Sequence, residues 1–382
     1  MIIKQVAYWN HQFEWRFEPI QFSNLALLVG VSGVGKTHIL LGIYNLRKIA
    51  NGASFNGLAW DITFLANNGV EYRWKGEFET QESHELIFIE EEGDRSFQII
   101  SEELFKEAEL IVQRKGEKII FQGQDTPKLS PYESLVEIFK REEDVAPVRD
   151  SFNRIIYSAQ CSSVEELYRI YDGVLTQKSF SSSDLNNLQQ SDMPTQIKLA
   201  FVYHYFPKIF QKIKERFIEV FNQVEDIKLE PIFILESEVP IPISRALPSI
   251  PIQIKEKGVK KWIIQQNISS GMFKTLMHIS ELYLCPEGSV ILIDEFENSF
   301  GVNCIDIITE DLVQENRNLQ FIITSHHPYI INNIGLEYWK IVTRKGGAVT
   351  VKDAGDLNLG KSRHKAFMQL INSEVYTEGI AV

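Results

Sequence analysis

Apolar and polar residues alternate over much of residues 1–126, and this pattern predicts a β-rich region. IIKQVAYW and FEWRFEPI indicate a hairpin that turns near residues 10–12. The uninterrupted apolar run LALLV, residues 25–29, predicts a strand buried on both faces. WDITFLA with VEYRW, and ELIFIEE with RSFQII, predict two more hairpins, and KIIFQG predicts a further strand. We therefore expect an antiparallel sheet added to a core that contains LALLV.

Helical spacing of apolar residues begins directly after this core strand. A helix is predicted over 37–49, ending at the Asn51-Gly52 pair. Its apolar stripe consists of Ile39, Leu40, Ile43, Leu46 and Ile49. Residues 130–228 are mostly helical in pattern, and Pro207 predicts that the stretch 197–224 is two helices or one kinked helix. The Ser/Gln/Asn-rich stretch 176–195 predicts an exposed loop.

The last third of the chain returns to strands. PIFILES, IPIQIKE and KKWIIQQ predict three of them, and SVILIDE and QFIITS then alternate with helices before the hairpin YWKIVTRK/AVTVKD. This β-α-β-α-β order predicts parallel strands with crossover helices. We expect an α/β fold with a mixed central sheet, an antiparallel β subdomain and a helical insertion. Residues 1–126 would form an N-terminal lobe that includes the antiparallel β subdomain, residues 127–228 the helical insertion, and residues 229–382 a C-terminal lobe.

Composition narrows the class of protein. The 39 basic and 51 acidic residues give a net charge of -12, which argues against non-specific coating of nucleic acid but leaves room for a local basic groove. No apolar run approaches the roughly 20 residues that span a bilayer, and the first residues do not form a signal peptide. The three distant cysteines favour neither disulfides nor a zinc site. We expect a soluble cytoplasmic protein with no membrane partner.

Residues 30–37, GVSGVGKT, fit the phosphate-binding pattern G-x-x-x-x-G-K-[ST]. Glycines let the backbone N–H groups turn toward a phosphate, Lys36 adds a positive charge, and Thr37 offers a hydroxyl to Mg²⁺. A plain glycine-rich turn is the alternative, but a buried strand before the motif and a helix after it favour the phosphate loop. The predicted binding residues are Gly30, Ser32, Gly33, Val34, Gly35, Lys36 and Thr37.

Two later strands end in polar side chains. VILIDE runs into Asp294 and Glu295, which predicts a Mg²⁺ ligand at Asp294 and a water-orienting carboxylate at Glu295. The alternative is a pair of solvated acids at the end of a strand. QFIITS is followed by His326 and His327, and a histidine there could contact the γ-phosphate or the attacking water. We favour His326 for this role, against a purely structural histidine.

The segment NISSG places Ser269, Ser270 and Gly271 before a predicted helix. That helix carries apolar residues at helical spacing and ends before the VILIDE strand. A helix N-terminus has N–H groups suited to an anion, and one such terminus already follows the phosphate loop. A second one is explained if it serves a neighbouring molecule, and the alternative is an N-cap that only starts a helix.

Together these motifs resemble the ABC-type ATPases of the RecF/SMC/Rad50 superfamily. GVSGVGKT is similar to their Walker A motif, VILIDE to Walker B, ISSGM to the signature LSGGQ, and TSH to the histidine switch. IDEFEN, TSHHPYIIN and HKAFMQLINSEVYTEGI look closest to the stand-alone AAA-family ATPases of bacterial anti-phage systems, such as Septu, PARIS, retron-associated and overcoming-lysogenization-defect proteins. The resemblance covers roughly residues 1–50 and 260–382. It implies a P-loop NTPase fold of the ABC/SMC-head type.

The resemblance also implies ATP and Mg²⁺ as cofactors, held between two heads packed head to tail. Each nucleotide would lie on the Walker A loop of one subunit and be closed by Ser269, Ser270 and Gly271 of the other. NSFGVN occupies the D-loop position, with Ser299 as its contact, and Lys274 falls where relatives often keep a basic residue. For the Q-loop, Gln124 and Gln160 both stay open.

Three functions are compatible with these motifs. The first is an ATPase that acts as a homodimer or higher homo-oligomer and controls the separate effector of an anti-phage system, such as a nuclease encoded nearby. We expect a separate effector because the chain ends soon after the histidine strand, leaving no room for an appended nuclease. The second is a RecF-like repair ATPase that binds DNA across the closed dimer, with the basic stretch 255–261 as a candidate surface or, more simply, a solvated turn. The third is a non-catalytic nucleotide-dependent scaffold, against which Asp294 and Glu295 speak.

Overall fold

The structure is a computed structural model that describes residues 1–81, 96–158, 185–191, 193–230, 251–299, 318–357, 368–369 and 380–381. The chain divides into two compact units. Unit 1 contains residues 1–158, 287–296 and 309–382, and unit 2 contains residues 159–286 and 297–308. Among the described residues, no helix is both long and apolar enough to cross a membrane.

Unit 1 is built on strands. They are β1 (Ile2–Asn10), β2 (Trp15–Gln21), β3 (Leu25–Val29), β4 (Leu58–Leu65), β5 (Glu71–Phe78), β6 (Ile99–Lys106), β7 (Glu109–Lys115), β8 (Lys118–Phe121), β9 (Gln124–Asp125), β10 (Ile155–Tyr157), β14 (Val290–Ile293), β15 (Gln320–Thr324), β16 (Trp339–Lys345), β17 (Ala348–Asp353) and β18 (Ile380–Ala381). Its helices are α1 (Lys36–Ala50), α2 (Leu135–Ile138), α3 (Ala146–Phe152) and α9 (Pro328–Asn333). The short helix α8 (Phe296–Ser299) has its first residue in unit 1 and its other residues in unit 2.

These strands form one mixed sheet with the order β10-β14-β15-β3-β16-β17-β2-β1-β4-β5-β6-β7-β8-β9, and β18 pairs with β16. From β10 to β16 neighbouring strands are parallel, whereas from β2 to β9 they are antiparallel. The predicted α/β fold with a mixed central sheet is confirmed. The antiparallel strands extend the same sheet that carries the parallel ones.

The predicted burial patterns explain this arrangement. All five residues of β3 are buried, as expected for a strand inside a parallel sheet. In β5, burial alternates, and Trp74 pairs in register with Ile62 of β4 on the buried face. The predicted β1–β2 and β4–β5 hairpins are therefore confirmed. The apolar stripe of α1 is also buried, and Gly52 ends the helix with a left-handed φ of 91°.

Unit 2 combines helices with a three-stranded sheet of order β11-β12-β13. Its strands are β11 (Val224–Leu229), β12 (Ile252–Glu256) and β13 (Ile263–Ile264), and its helices are α4 (Leu185–Gln190), α5 (Thr195–Tyr205), α6 (Pro207–Val220) and α7 (Ser270–Leu284). Pro207 is the first residue of α6, where its missing N–H costs nothing. Of the two predicted alternatives, two separate helices and one kinked helix, the structure shows the first.

Several local predictions are wrong or untested. Within the predicted loop 176–195, residues 185–190 form α4, whose Leu188 is buried. Residues 155–157 form a strand inside the region predicted as helical. Most of β6 and all of β7 were not predicted as individual strands, because they carry many charged residues. The segments ELIFIEE and PIFILES lie outside the described residues.

A buried polar cluster links the antiparallel strands to α2. Glu102, 1% exposed, accepts hydrogen bonds from Trp74 Nε1 at 2.8 Å and from the Leu135 backbone N–H at 2.9 Å. Arg114, on the neighbouring strand β7, donates to the Pro131 carbonyl. Burial raises the pKa of Glu102 to about 7, and the nearby Arg114 offsets part of this effect.

Candidate functional site

The loop between β3 and α1 has a backbone that only its glycines accommodate. Gly33 and Gly35 have φ angles of 87° and 102°, in the left-handed region that side chains disfavour. A Cβ atom on Gly30 would lie 2.5 Å from the carbonyl oxygen of Val342 on β16. The three glycines of the predicted phosphate motif are therefore each required by the backbone: Gly33 and Gly35 by their φ angles, and Gly30 by its close approach to β16.

Lys36 lies at the start of α1 and is 5% exposed. Its Nζ donates to the carbonyl oxygens of Gly30 at 2.8 Å and Val31 at 3.0 Å. Ser32 and Thr37 are exposed. The lysine is thus held over its own loop by neutral acceptors, and a phosphate oxygen would be a stronger partner because it is charged.

Three parallel strands bring the predicted catalytic residues to one edge of the sheet. β15 lies between β14 and β3, so the strand before His326 is beside the strand that leads into the phosphate loop. Ile323 of β15 pairs with Ile293 of β14 and with Leu27 of β3. Because the carboxyl ends of parallel strands meet at the same edge, Asp294, directly after β14, lies beside Thr324, the last residue of β15.

The carboxylate of Asp294 is held by two hydroxyl groups. Thr324 Oγ1 donates to Asp294 Oδ1 at 2.7 Å, and Tyr157, at the end of β10, donates to Oδ2 over a longer 3.4 Å. Burial and the charge of Asp294 raise the pKa of Tyr157 to about 12. The sequence predicted no role for either residue, although Thr324 begins the TSH motif, because both contacts depend on the register of neighbouring strands.

Glu295 adopts an unusual backbone conformation. Its φ is 46°, in the left-handed region, and its backbone N–H donates to Thr324 Oγ1 at 2.7 Å. Its side chain is exposed, whereas Asp294 is half-buried. Non-glycine residues keep such conformations where the surroundings fix them, and this often occurs at functional sites.

The two histidines after β15 differ in their surroundings. His327 caps α9, and its Nδ1 accepts a hydrogen bond from the Tyr329 N–H at 3.3 Å. His326 is half-buried and follows Thr324 by two residues. This capping role of His327 agrees with the choice of His326 as the switch residue, which stays a prediction.

The predicted signature segment begins α7. Ser269 is its N-cap, and the Ser269 hydroxyl accepts a hydrogen bond from the Met272 N–H at 3.3 Å. Ser270 is exposed and Gly271 is half-exposed. The predicted helix start is confirmed, while the role of these residues toward a phosphate stays a prediction.

The remaining predicted positions have different outcomes. Gln124 lies on β9, at the end of the sheet order opposite to β10, which is next to β14. Gln160 lies outside the described residues, three positions after Tyr157. Ser299 is the last residue of α8, and its side chain lies outside the described part of the chain; Lys274 is exposed on α7.

The basic stretch 255–261 runs from β12 into the turn before β13. Gly258 there has a left-handed φ of 77°, and the Lys257 N–H donates to the Gln223 carbonyl at 2.8 Å. The predicted solvated turn is therefore the better description of this stretch.

The site fits a magnesium nucleotide. Mg²⁺ prefers oxygen ligands and keeps several of its waters, and the Thr37 hydroxyl and Asp294 carboxylate supply such oxygens. The loop backbone at Gly33 and Gly35 and the ammonium group of Lys36 suit phosphate. These are the residues that would hold ATP and its metal ion.

The chain has matches among solved structures and to one family model. No curated protein matches the chain significantly. Similar solved structures, each 13% identical over 92% of this chain, include an SMC head bound to the C-winged helix domain of ScpA (97% of that chain, TM-score 0.46), the SMC head domain from Thermotoga maritima (99%, 0.46), and an Smc head domain with an extended coiled coil bound to the C-terminal domain of ScpA, derived from Pyrococcus furiosus (96%, 0.45).

One family model matches residues 127–332, slightly more than half of the chain, and is described as "AAA domain, putative AbiEii toxin, Type IV TA system". The matched range contains the signature segment, the Asp294-Glu295 pair and the histidine strand. It confirms the resemblance at the level of an AAA-domain protein, while the ABC/SMC type and the anti-phage subgroup stay predictions. The chain belongs to this AAA-domain family.

Proposed function

We propose that the protein binds and hydrolyses ATP and that it works as a head-to-tail dimer. The observation that carries the first part is the edge formed by β14, β15 and β3. There, a glycine loop with Lys36 follows one strand, and Asp294 and Glu295 follow another with a single strand between them. Asp294 and Thr324 are also joined by a short hydrogen bond.

Each residue has a distinct role in this proposal. The loop N–H groups and Lys36 bind the phosphates, and Thr37 and Asp294 hold the metal ion. Magnesium, when bound, neutralises charge that develops on the phosphate oxygens. Glu295 accepts a proton from the attacking water and orients it, which its exposed side chain permits. His326 would hydrogen-bond the γ-phosphate or that water.

The dimer rests on the start of α7. Ser269 already caps this helix, so a purely structural start needs neither the exposed Ser270 nor Gly271. The first N–H groups of a helix suit an anion, and the Walker A loop has such a terminus of its own in α1. In a dimer, the N-terminus of α7 in one chain would contact the phosphates of the ATP that is bound to the Walker A loop of the other chain.

As the biological role we propose control of a separate effector, such as a nuclease, in a bacterial anti-phage system. This role is supported by the resemblance of the segments IDEFEN and TSHHPYIIN to stand-alone AAA-family ATPases of anti-phage systems. A RecF-like ATPase that binds DNA across the closed dimer is the alternative. The acidic balance of the chain, with a net charge of -12, favours the first role.

Nucleotide binding and steady-state hydrolysis test the enzymatic part. Wild-type protein should bind ATP and hydrolyse it with Mg²⁺, and Lys36→Ala should lose both activities. Lys48→Ala, in the last turn of the same helix, is the matched control and should behave as wild type. Wild-type protein that binds no ATP would contradict the proposal, and binding without hydrolysis, even with a co-purifying partner, would indicate a scaffold.

DNA addition separates the two biological roles. ATP-dependent assembly that does not change with DNA, together with a co-purifying protein, would support the effector role. Turnover that is strongly stimulated by DNA ends would support the repair role instead. A nuclease gene beside this one would further favour the first.

A further inference from the structure

One hydroxyl group connects the two acids of the candidate site. Thr324 is the last residue of β15 and is fully buried. Its Oγ1 lies 2.7 Å from Asp294 Oδ1 and 2.7 Å from the backbone nitrogen of Glu295. A hydroxyl has a single hydrogen, so it accepts from the Glu295 N–H and donates to the Asp294 carboxylate. Both bonds are short, and together they fix the orientation of the hydroxyl.

This arrangement constrains the side chain and the backbone at once. The bond to Oδ1 sets the orientation of the Asp294 carboxylate, which keeps further lone pairs for a cation. The bond from the Glu295 N–H anchors the peptide between the two acids. Directly after this peptide, Glu295 has a left-handed φ of 46°, and this backbone conformation sets the direction in which its side chain leaves the backbone. A glutamate seldom adopts this φ without such support.

The contact links distant parts of the chain. Thr324 lies 29 and 30 residues after its partners, and the pairing of Ile293 with Ile323 brings them together. It lies two residues before His326, so the end of β15 that leads to the predicted switch histidine also contacts the two acids. Asp294 has a second contact, with the Tyr157 hydroxyl, but that distance is 3.4 Å.

We propose that Thr324 is a positioning residue for ATP hydrolysis, whose hydroxyl aligns the metal-binding carboxylate of Asp294 with the water-orienting Glu295. This inference rests on the proposed ATPase function. Thr324 itself touches neither nucleotide nor water in this proposal, and it acts only through its two partners. Residues that orient metal ligands in this way commonly change metal affinity or activity by about 10- to 100-fold when removed.

The test compares Thr324→Val with Thr324→Ser. Valine keeps the shape and the β-branched side chain but leaves both partners without the hydroxyl, whereas serine restores the hydroxyl without the methyl group. Thr324→Val should lower kcat about 10- to 100-fold and raise the Mg²⁺ concentration for half-maximal activity. ATP binding without Mg²⁺ should stay as in wild type, because Lys36 and its loop are unchanged. Thr324→Ser should recover most of the lost activity.

Thr343→Val is the matched control for a structural effect. Thr343, on β16, shares a hydroxyl hydrogen bond of 2.9 Å with Thr350. In the sheet order, β15 and β3 separate β16 from β14, the strand that leads to Asp294 and Glu295. Its substitution removes one hydroxyl from the same sheet and should leave the Mg²⁺ dependence unchanged. If Thr324→Val matches wild type in kcat and Mg²⁺ dependence, or if Thr324→Ser is as impaired as Thr324→Val, the inference is wrong.

The wild-type and Lys36→Ala measurements decide the ATPase function separately. Should the wild type fail to hydrolyse ATP, a crystal structure of Thr324→Val still tests the inference. In that variant we expect Glu295 to leave the left-handed region and the Asp294 carboxylate to rotate. A retained positive φ with an unmoved carboxylate would overturn the positioning role.

Discussion

Glu102 and Asp294 are carboxylates of the same sheet, but they differ in their access to solvent. Glu102 is 1% exposed and is surrounded by the Trp74 indole, the Leu135 N–H and Arg114. Asp294 is half-buried at the end of a parallel strand, and the next residue, Glu295, is exposed. Both acids have hydrogen-bond donors from the chain. The difference between them is therefore solvent access: Glu102 is enclosed and can only stabilise the fold, whereas Asp294 is accessible to the metal ion that we propose it binds.

Backbone conformation sharpens this contrast. Glu102 lies within a regular strand, where its position follows from the ladder of β6 with its neighbours. Glu295 instead lies just after a strand, with a left-handed φ that depends on Thr324. Substitutions in the first region should change stability and its pH dependence. Substitutions in the second should change turnover while the fold persists.

Glu295→Gln should give the largest effect on turnover. The amide cannot accept the proton of the attacking water, so kcat should fall by about 10²- to 10⁴-fold. ATP binding should persist, and sedimentation should show a dimer trapped with ATP. Lys48→Ala serves again as the control. A variant that stays monomeric at saturating ATP would contradict head-to-tail closure.

Glu102→Gln should change stability and leave turnover near the wild-type level. The pKa of Glu102 is about 7 in the fold against an ordinary value of 4.5, so the folded state keeps its proton to higher pH than the unfolded state. Wild-type stability should therefore fall as pH rises from 4.5 to 7, by about 3 kcal/mol from this group. Glutamine cannot ionise and keeps an oxygen for Trp74 and Leu135, so it should remove this part of the pH dependence.

Denaturant unfolding at pH 5 and pH 8 measures this effect. The Glu102→Gln variant should gain stability relative to wild type at pH 8, and the difference should shrink at pH 5. An equal pH dependence in the two proteins would show that Glu102 does not titrate in this range. A large loss of turnover in Glu102→Gln would break the contrast between the two carboxylates.

Tyr157→Phe should give the smallest effect. The Tyr157 hydroxyl lies 3.4 Å from Asp294 Oδ2, a long hydrogen bond, so its removal should lower kcat by about two- to threefold. Tyr8→Phe, which removes a buried hydroxyl bonded to Asn45 at 3.1 Å, is the control and should leave kcat unchanged. Steady-state kinetics would show the difference, and a loss as large as that of Thr324→Val would mean that Tyr157 positions Asp294 equally.

The sequence predicted the parts of the molecule that depend on local pattern. The buried strand LALLV, the stripe of α1, the break at Pro207 and the glycine loop follow from neighbouring residues, and the structure confirms them. The three-residue strand β10 was missed because it is too short to show a periodicity. Strand β7 was missed because charged residues interrupt its apolar positions.

The site was predictable only as a set of separate motifs. Asp294, Glu295 and Lys36 stand out because their motifs fit known phosphate chemistry. Thr324 and Tyr157 do not, because their contacts arise from the pairing of β14 with β15 and β10. Such register cannot be read from local patterns. The roles of the signature segment and of Ser299 stay predictions for a different reason, because they depend on contacts with a second chain.

Mixing two inactive variants tests most directly whether the working unit contains two chains. Lys36→Ala keeps an intact signature, and Ser270→Arg keeps an intact Walker A loop and should still bind ATP. Each variant alone should be inactive, but a mixed dimer would contain one complete site. Random pairing should restore about a quarter of the wild-type ATPase rate. A mixture as inactive as its components, when sedimentation shows that they pair, would contradict the composite site.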